Sequence, residues 1–252
     1  MKTHFHGKNI LITGASSGIG HALAMKFNSS GARLFLLARR EERLENLARS
    51  LTGVEVHLLV TDINSKNSVS KIQEATSGRV DILINNAGLA LGREKVEESN
   101  FSDWEKMIET NITANFKIAH LIVPWMIKSG GGDIINLCSI AGHYAYPGGA
   151  VYCATKHAVH AFTRALREET CGRNIRVMQI SPGMVNTEFS QVRFKGDLKA
   201  AEAVYSGMTP LTGEDIADMM MFMLERPRHV VIDELITMPA DQGSPMSVFR
   251  KK

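Results

Sequence analysis

Tyr152 and Lys156 stand four residues apart in Tyr152-Cys153-Ala154-Thr155-Lys156. On a helix that spacing puts a phenol and an ammonium on one face. A phenol has an unperturbed pKa near ~10 and is a poor proton shuttle at neutral pH. A neighbouring cation stabilises the phenolate and lowers that value. The pair is therefore predicted to exchange protons with a substrate hydroxyl. The spacing alone is common on solvated helices, so its meaning depends on the elements that hold it.

A second chemical feature lies near the N-terminus. The apolar run 9–13 leads directly into Thr13-Gly14-Ala15-Ser16-Ser17-Gly18-Ile19-Gly20, and an amphipathic stretch follows to about Asn28. Glycines at Gly14, Gly18 and Gly20 permit a tight turn, close backbone approach to a pyrophosphate and close helix–sheet packing. The free N–H groups at the helix start, around Ser16, Ser17 and Ile19, then face an anion. The strand–loop–helix context is what gives a glycine triplet this meaning.

The next strand ends in Ala38-Arg39-Arg40. A site for NAD places a carboxylate there, on the ribose 2′-hydroxyl. Guanidinium instead grips a 2′-phosphate, which a carboxylate would repel. The expected cofactor is NADP(H), with Arg39 carrying most of the preference.

These features need a scaffold. Apolar strand-like runs at 9–13, 33–38, 54–60, 81–84, 133–138 and 175–180 alternate with helical patterns at 41–51, 65–75, 110–129 and 151–170. Pro124 falls inside the long 110–129 helix, where a kink is expected. Val/Ile/Leu-rich strands each followed by a helix imply a parallel sheet covered on both faces. The expected fold is α/β, a single-domain Rossmann-type doubly wound sheet of about seven parallel strands over 1–252. The polar, weakly periodic segment 183–212 is too long for an ordinary connection and is read as a substrate lid with small helices.

The 252 residues carry a net charge of +3, too small to argue for nucleic acid or a membrane surface. No apolar run approaches the roughly 20 residues of a spanning helix, and residues 1–7 lack a signal-peptide core. A cytoplasmic protein is expected. The apolar stretch 219–224 reads as core or subunit contact, and the basic end Arg250-Lys251-Lys252 as a frayed tail. Cys138, Cys153 and Cys171 form no CxxC pair and read as buried small hydrophobes, and the nine histidines show no ligand spacing, so no metal is expected.

With the glycine loop at 13–20, Asn85-Asn86-Ala87-Gly88 after the fourth strand, the ordered set Asn111, Ser139, Tyr152, Lys156, and Pro182-Gly183 after the sixth strand, the chain resembles the short-chain dehydrogenase/reductase family throughout its length. The resemblance implies catalysis by Asn111, Ser139, Tyr152 and Lys156. Ser139 would donate a hydrogen bond to the reacting oxygen, Tyr152 would transfer the proton, and Asn111 would anchor a proton-relay water. Lys156 would also bond the nicotinamide ribose. Asp62, with Ile63, resembles the residue that bonds the adenine amino group. Asn86, Ala87, Gly88, Pro182, Gly183, Val185 and Thr187 fall on further cofactor positions, Thr187 on the one that bonds the nicotinamide carboxamide. The local readings are plainer, Ser139 as a strand-end cap and Asn111 as a mid-helix surface residue.

Residues 187–197 resemble the NADP-dependent 3-hydroxy acid dehydrogenases of that family, which act on serine, allo-threonine and short semialdehydes. A carboxylate substrate needs a cation near the catalytic tyrosine, and Arg193 is the candidate, together with Ser139 and Tyr152 in the substrate site. His143, Tyr144 and Tyr146 are expected to line the pocket. The chain lacks the Val-Asp-Gly-Gly ending of many tetrameric members, reading Asp233-Glu234-Leu235-Ile236-Thr237 instead. By resemblance to the hydroxy acid branch a homo-oligomer is still expected, a tetramer favoured. Two alternatives stand beside this reading, a 3-oxoacyl-carrier-protein reductase or broad carbonyl reductase, and an NADP-sensing regulatory protein without turnover.

Overall fold

The computed structural model describes residues 4–251. Seven strands form one sheet: β1 (Asn9–Thr13), β2 (Arg33–Ala38), β3 (Glu55–Val60), β4 (Ile82–Asn85), β5 (Gly132–Leu137), β6 (Ile175–Pro182) and β7 (Glu234–Thr237). The helices, in chain order, are α1 (Gly18–Lys26), α2 (Glu41–Ser50), α3 (Ser68–Thr76), α4 (Phe101–Ile108), α5 (Asn115–Lys128), α6 (Ala150–Thr170), α7 (Phe189–Arg193), α8 (Leu198–Ala203) and α9 (Gly213–Leu224). The strand order is β3-β2-β1-β4-β5-β6-β7, and every pairing is parallel.

Alternation along each strand divides the core between the two faces. Ile10 and Ile12 point with Leu34 and Leu36 toward α1, α2 and α9, where Leu23, Phe27, Leu44, Met220 and Met223 complete one layer. Leu11, Phe35 and Leu83 point the other way, against Ile72 of α3, Ile118 and Ile122 of α5, and Leu166 of α6. Because the central strands are covered on both sides, they are apolar at nearly every position, the pattern visible in the sequence. The order reverses between β1 and β4, and at such a switch point a crevice opens at the carboxyl ends of the strands.

The expected single helix over 110–129 is instead α4, a π-helical turn at Glu109–Ala114, and α5. The side chain of Asn100 caps α4 by accepting from the N–H of Ser102. Wider turns of this kind insert a residue into the helical ladder. Here the turn contains Asn111, which is buried rather than the surface residue its mid-helix position suggested. Helix α5 continues through Pro124 to Lys128.

Beneath the β5–β6 pair, Arg176 forms a two-pronged ion pair with Asp133, both contacts 2.8 Å. The remaining guanidinium hydrogens go to the carbonyls of Leu224, Arg226 and Val230, so a buried charge pair is fully hydrogen-bonded.

The segment 183–212 contains α7 and α8 and closes through a parallel bridge between Val185 and Leu211. The C-terminal residues are not frayed as expected: Arg250 donates to the carbonyls of Val204 and Ser206, and the Lys251 N–H donates to Gly207. Lys252 lies outside the described residues. Cys171 is exposed at the end of α6, unlike buried Cys138 and Cys153. In the apolar stretch at 219–224, Met220, Met223 and Leu224 are core while Phe222 is exposed. Among the described residues, no helix is long and apolar enough to cross a membrane.

Candidate active site

The glycine loop and the end of β4 are locked together. Thr13 Oγ1 accepts from the backbone N–H groups of Asn86 (3.0 Å) and Ala87 (2.9 Å), and Asn86 Nδ2 donates to Thr13 O at 2.8 Å. The contact leaves no room for side chains: a Cβ on Gly20 would stand 2.6 Å from Asn86 Nδ2 and from Gly14 O. Gly14, at φ +69°, also holds a conformation that favours glycine. Ser17 precedes α1 without a capping side-chain bond, so the first N–H groups of that helix are left for an anion.

These loops form one wall of a cavity of about 310 Å³ at the sheet's switch point. Every residue expected to touch the cofactor lines it, apart from Gly20, which packs behind the loop against Asn86. Arg39 is exposed at the rim, its guanidinium 3.7 Å from Asp62. Arg40, also exposed, is tied to Ser17 Oγ (2.7 Å), Ser16 Oγ (3.2 Å) and Glu188 Oε2 (2.8 Å). Glu188 also pairs with Arg43. Burial alone would raise the Glu188 carboxyl, but hydrogen bonds from these two arginines hold it below its ordinary value. Glu188 was not singled out in the sequence, because no local pattern relates it to Arg40.

At the opposite end of the cavity, α6 presents Tyr152 and Lys156 next to Ser139, which follows β5. Lys156 Nζ donates to Leu137 O at 2.9 Å and stands 6.0 Å from the Tyr152 ring centroid. The expected lowering of the phenol pKa is not found. Burial pushes Tyr152 well above its ordinary value, and the Ser139 hydrogen bond and the Arg193 charge only partly oppose this. Burial likewise pulls Lys156 below its ordinary value. With the ammonium bonded to a carbonyl rather than to the phenol, desolvation dominates both groups.

Ser139 does act as a cap, accepting from the N–H of Ala141 at 3.1 Å, while its hydroxyl also faces the cavity beside Tyr152. Asn111 does not line the cavity. Its Oδ1 accepts from Leu89 N and its Nδ2 donates to Leu89 O, both at 2.8 Å, and Nδ2 also reaches Thr155 Oγ1 at 3.0 Å.

A smaller cavity of about 120 Å³ shares Ser139, Tyr152, Gly183, Val185 and Phe189 with the first. Arg193 of α7 enters it, 5.6 Å from the Tyr152 ring centroid and bonded to Tyr146 Oη (3.3 Å) and Gly92 O (3.2 Å). Tyr146 lines this cavity as expected, and Tyr205 joins it from the far side. His143 and Tyr144 line neither cavity. His143 turns away to Glu234 (2.6 Å) and Ser181 (3.2 Å), and Tyr144 is half exposed. A charged partner on β7 outcompetes the pocket for the imidazole.

Residues 8–197 match the short chain dehydrogenase family. The chain is 43% identical to the NADP-dependent 3-hydroxy acid dehydrogenase of Schizosaccharomyces pombe, over 98% of both chains. It is 42% identical to sulfoacetaldehyde reductase 2 of Chromohalobacter salexigens, over 93% of this chain and 95% of that one. Serine 3-dehydrogenase of Agrobacterium fabrum is 41% identical, over 93% and 94%. Among solved structures, the closed form of serine dehydrogenase complexed with NADP+ superposes with a TM-score of 0.89 and 36% identity, covering 97% of this chain and all of that chain. The locked glycine loop, the Tyr152–Lys156 pair at the cavity floor and these matches agree: the chain belongs to the short-chain dehydrogenase family.

Proposed function

We propose that this protein interconverts small 3-hydroxy acids and the corresponding 3-oxo acids or semialdehydes, with Tyr152 as general acid and base. The coarser activity is that of an NADP(H)-dependent oxidoreductase acting on small hydroxy-acid or carbonyl substrates. The chain fits a phosphorylated dinucleotide: the start of α1, behind Ser17 with no side-chain cap, offers N–H groups to phosphate, and Arg39 and Arg40 line the cavity where a 2′-phosphate needs cations. Gly18, Ile19 and the start of α1 would hold the pyrophosphate, Asp62 and Ile63 the adenine end, and Lys156, Gly183 and Thr187 the nicotinamide end. When bound, the dinucleotide supplies or takes the hydride.

The residues of this chain handle oxygen and proton. Ser139 and Tyr152 donate hydrogen bonds to the substrate carbonyl oxygen, which becomes negative as its carbon is reduced. Tyr152 then gives that oxygen its proton, and the phenolate left behind takes one back from solvent. A phenol held protonated by burial is the form reduction needs. In oxidation the same oxygen accepts the substrate hydroxyl proton, and the Ser139 hydrogen bond and the Arg193 charge favour the phenolate against burial. Asn111 positions rather than reacts, through Thr155.

The observation that carries the substrate class is Arg193, a guanidinium in the smaller cavity beside Tyr152. It suits a carboxylate two carbons from the reacting carbinol. Segment 183–212 then works as the lid that delivers it, on a single domain. A coupled assay with NADP tests this against L-serine, L-allo-threonine, 3-hydroxypropionate, 2-hydroxyethanesulfonate and carboxylate-free alcohols. The expected result is a kcat/KM for the 3-hydroxy acids at least about tenfold above the alcohols, a difference Arg193→Ala removes, as loss of one charge-assisted bond implies. Equal rates on acids and alcohols, or faster reduction of acetoacetyl thioesters, would overturn the assignment. Preference for the sulfonate would keep Arg193 as anion holder and replace the carboxylate.

A further inference from the structure

Outside the cavities, three side chains from distant parts of the chain meet beside β7. His143 follows the turn after Ser139, His160 lies on α6, and Glu234 opens β7. Their ligand atoms all lie within 4.8 Å of one another. Each side chain is about a fifth exposed, shielded yet reachable from solvent.

Further polar side chains surround the three. Glu234 Oε1 is approached by His143 Nε2 (2.6 Å), Gln179 Nε2 (2.6 Å) and Ser181 Oγ (2.7 Å). Gln179 Nε2 also faces His160 Nδ1 (2.9 Å) and Ser181 Oγ (3.1 Å). Gln179 is fully buried and its Oε1 has no partner. Turning the amide over would set Oε1 against the Glu234 carboxylate, so the orientation with Nε2 on the carboxylate is the favourable one. In this group Gln179 Oε1 is the buried atom left without a partner.

We propose that His143, His160 and Glu234 form a binding site for a divalent transition metal, with zinc as the fitting ion. Two imidazole nitrogens and a carboxylate, with a fourth position left to water or Ser181, are a ligand set zinc accepts. Zinc–nitrogen and zinc–oxygen bonds of about 2.0–2.2 Å separate tetrahedral ligand atoms by about 3.3–3.6 Å. His160 Nδ1 stands 3.8 Å from Glu234 Oε2, close to that separation, and His143 Nε2, 2.6 Å from Glu234 Oε1, would move apart by about 1 Å to reach it. His160 Nδ1 faces the Gln179 amide at 2.9 Å, a contact the ion would replace. Gln179 would then bond a ligand from outside the metal, the usual place for an amide around such a site. Imidazole donors argue against magnesium or calcium. The ion would tie β7 and α6 to the loop that follows Ser139, and so restrain the loop carrying Tyr146 into the substrate cavity.

The test uses tag-free full-length protein, stripped with chelator and titrated with Co²⁺ and then Zn²⁺. One Co²⁺ per chain with the visible absorption of a four-coordinate site is expected, displaced by Zn²⁺ and lost in His160→Ala and in Glu234→Gln. Zinc at a hundredfold excess over Kd should raise Tm by about 5–10 °C, whereas Mg²⁺ should not. If a variant misfolds, paramagnetic shifts in the wild-type protein decide: the ring signals of His143 and His160 must respond. Substoichiometric binding, or cobalt that persists in His160→Ala or shifts other histidines instead, would overturn the proposal.

Discussion

Asn111 and Thr155, 44 residues apart in the chain, share a buried hydrogen bond of 3.0 Å. Thr155 Oγ1 in turn donates to the carbonyl of Tyr152 at 2.8 Å. The π-helical turn that carries Asn111 is thereby joined to the part of α6 between the two residues first noticed in the sequence. Asn111 also grips both backbone groups of Leu89, whose loop lines the cofactor cavity.

Asn111→Ala removes three partners at once and strands the Leu89 N–H and carbonyl. A cost of about 1–3 kcal/mol is expected, read as a fall in Tm by calorimetry, with kcat reduced more than KM. An unchanged Tm would show that water replaces the amide and that the bond is not structural.

Tyr152→Phe should lower kcat by about 10²–10⁴ while leaving dinucleotide binding by fluorescence within a few fold. In the protein without dinucleotide, burial raises the Tyr152 pKa above its unfolded value near ~10. Ultraviolet titration should therefore show no difference between wild type and Tyr152→Phe below that pH. As pH climbs past ~10, the unfolded phenol loses its proton first, so this residue's contribution to stability is lost across the window up to its folded pKa. A phenolate assigned to Tyr152 at pH 7–9 would contradict this account.

Cofactor choice divides between two neighbours with different surroundings. Arg39 is exposed and near Asp62, whereas Arg40 is anchored by Ser16, Ser17 and Glu188. Arg39→Asp should lower the NADP/NAD ratio of kcat/KM by about tenfold to a hundredfold, the worth of a charged hydrogen bond and added repulsion. If the ratio stays put and Arg40→Ala moves it instead, the anchored arginine is the selector.

Asp133→Ala would leave the Arg176 guanidinium buried without its counter-charge. Destabilisation of about 3–5 kcal/mol is expected, measured by urea unfolding, with kcat at low temperature unchanged because the pair is remote from both cavities. A loss below about 1 kcal/mol would mean that the carbonyls of Leu224, Arg226 and Val230 hold the Arg176 guanidinium without a counter-charge.

The sheet and the cofactor loop were legible because their signals are local. A strand covered on both faces must be apolar along its whole length, and a turn that approaches phosphate must dispense with Cβ atoms. Gly14, Gly18 and Arg39 therefore declared themselves within short windows of sequence. The same reasoning failed where a side chain had two possible partners. His143 read as a pocket residue because it follows Ser139 closely, but Glu234, on a strand far along the chain, holds it elsewhere.

What the chain order decided alone was the element succession, the glycine cradle, the basic end of β2 and the Tyr152–Lys156 pairing. Folding decided the rest. It bonded Lys156 to the Leu137 carbonyl rather than to the phenol, drew Glu188 to Arg40 across 148 positions, and buried Asn111 in a π-helical turn. Partners that distant are chosen by whichever polar group can be satisfied as water leaves the interior, and that outcome depends on three-dimensional neighbours rather than on spacing.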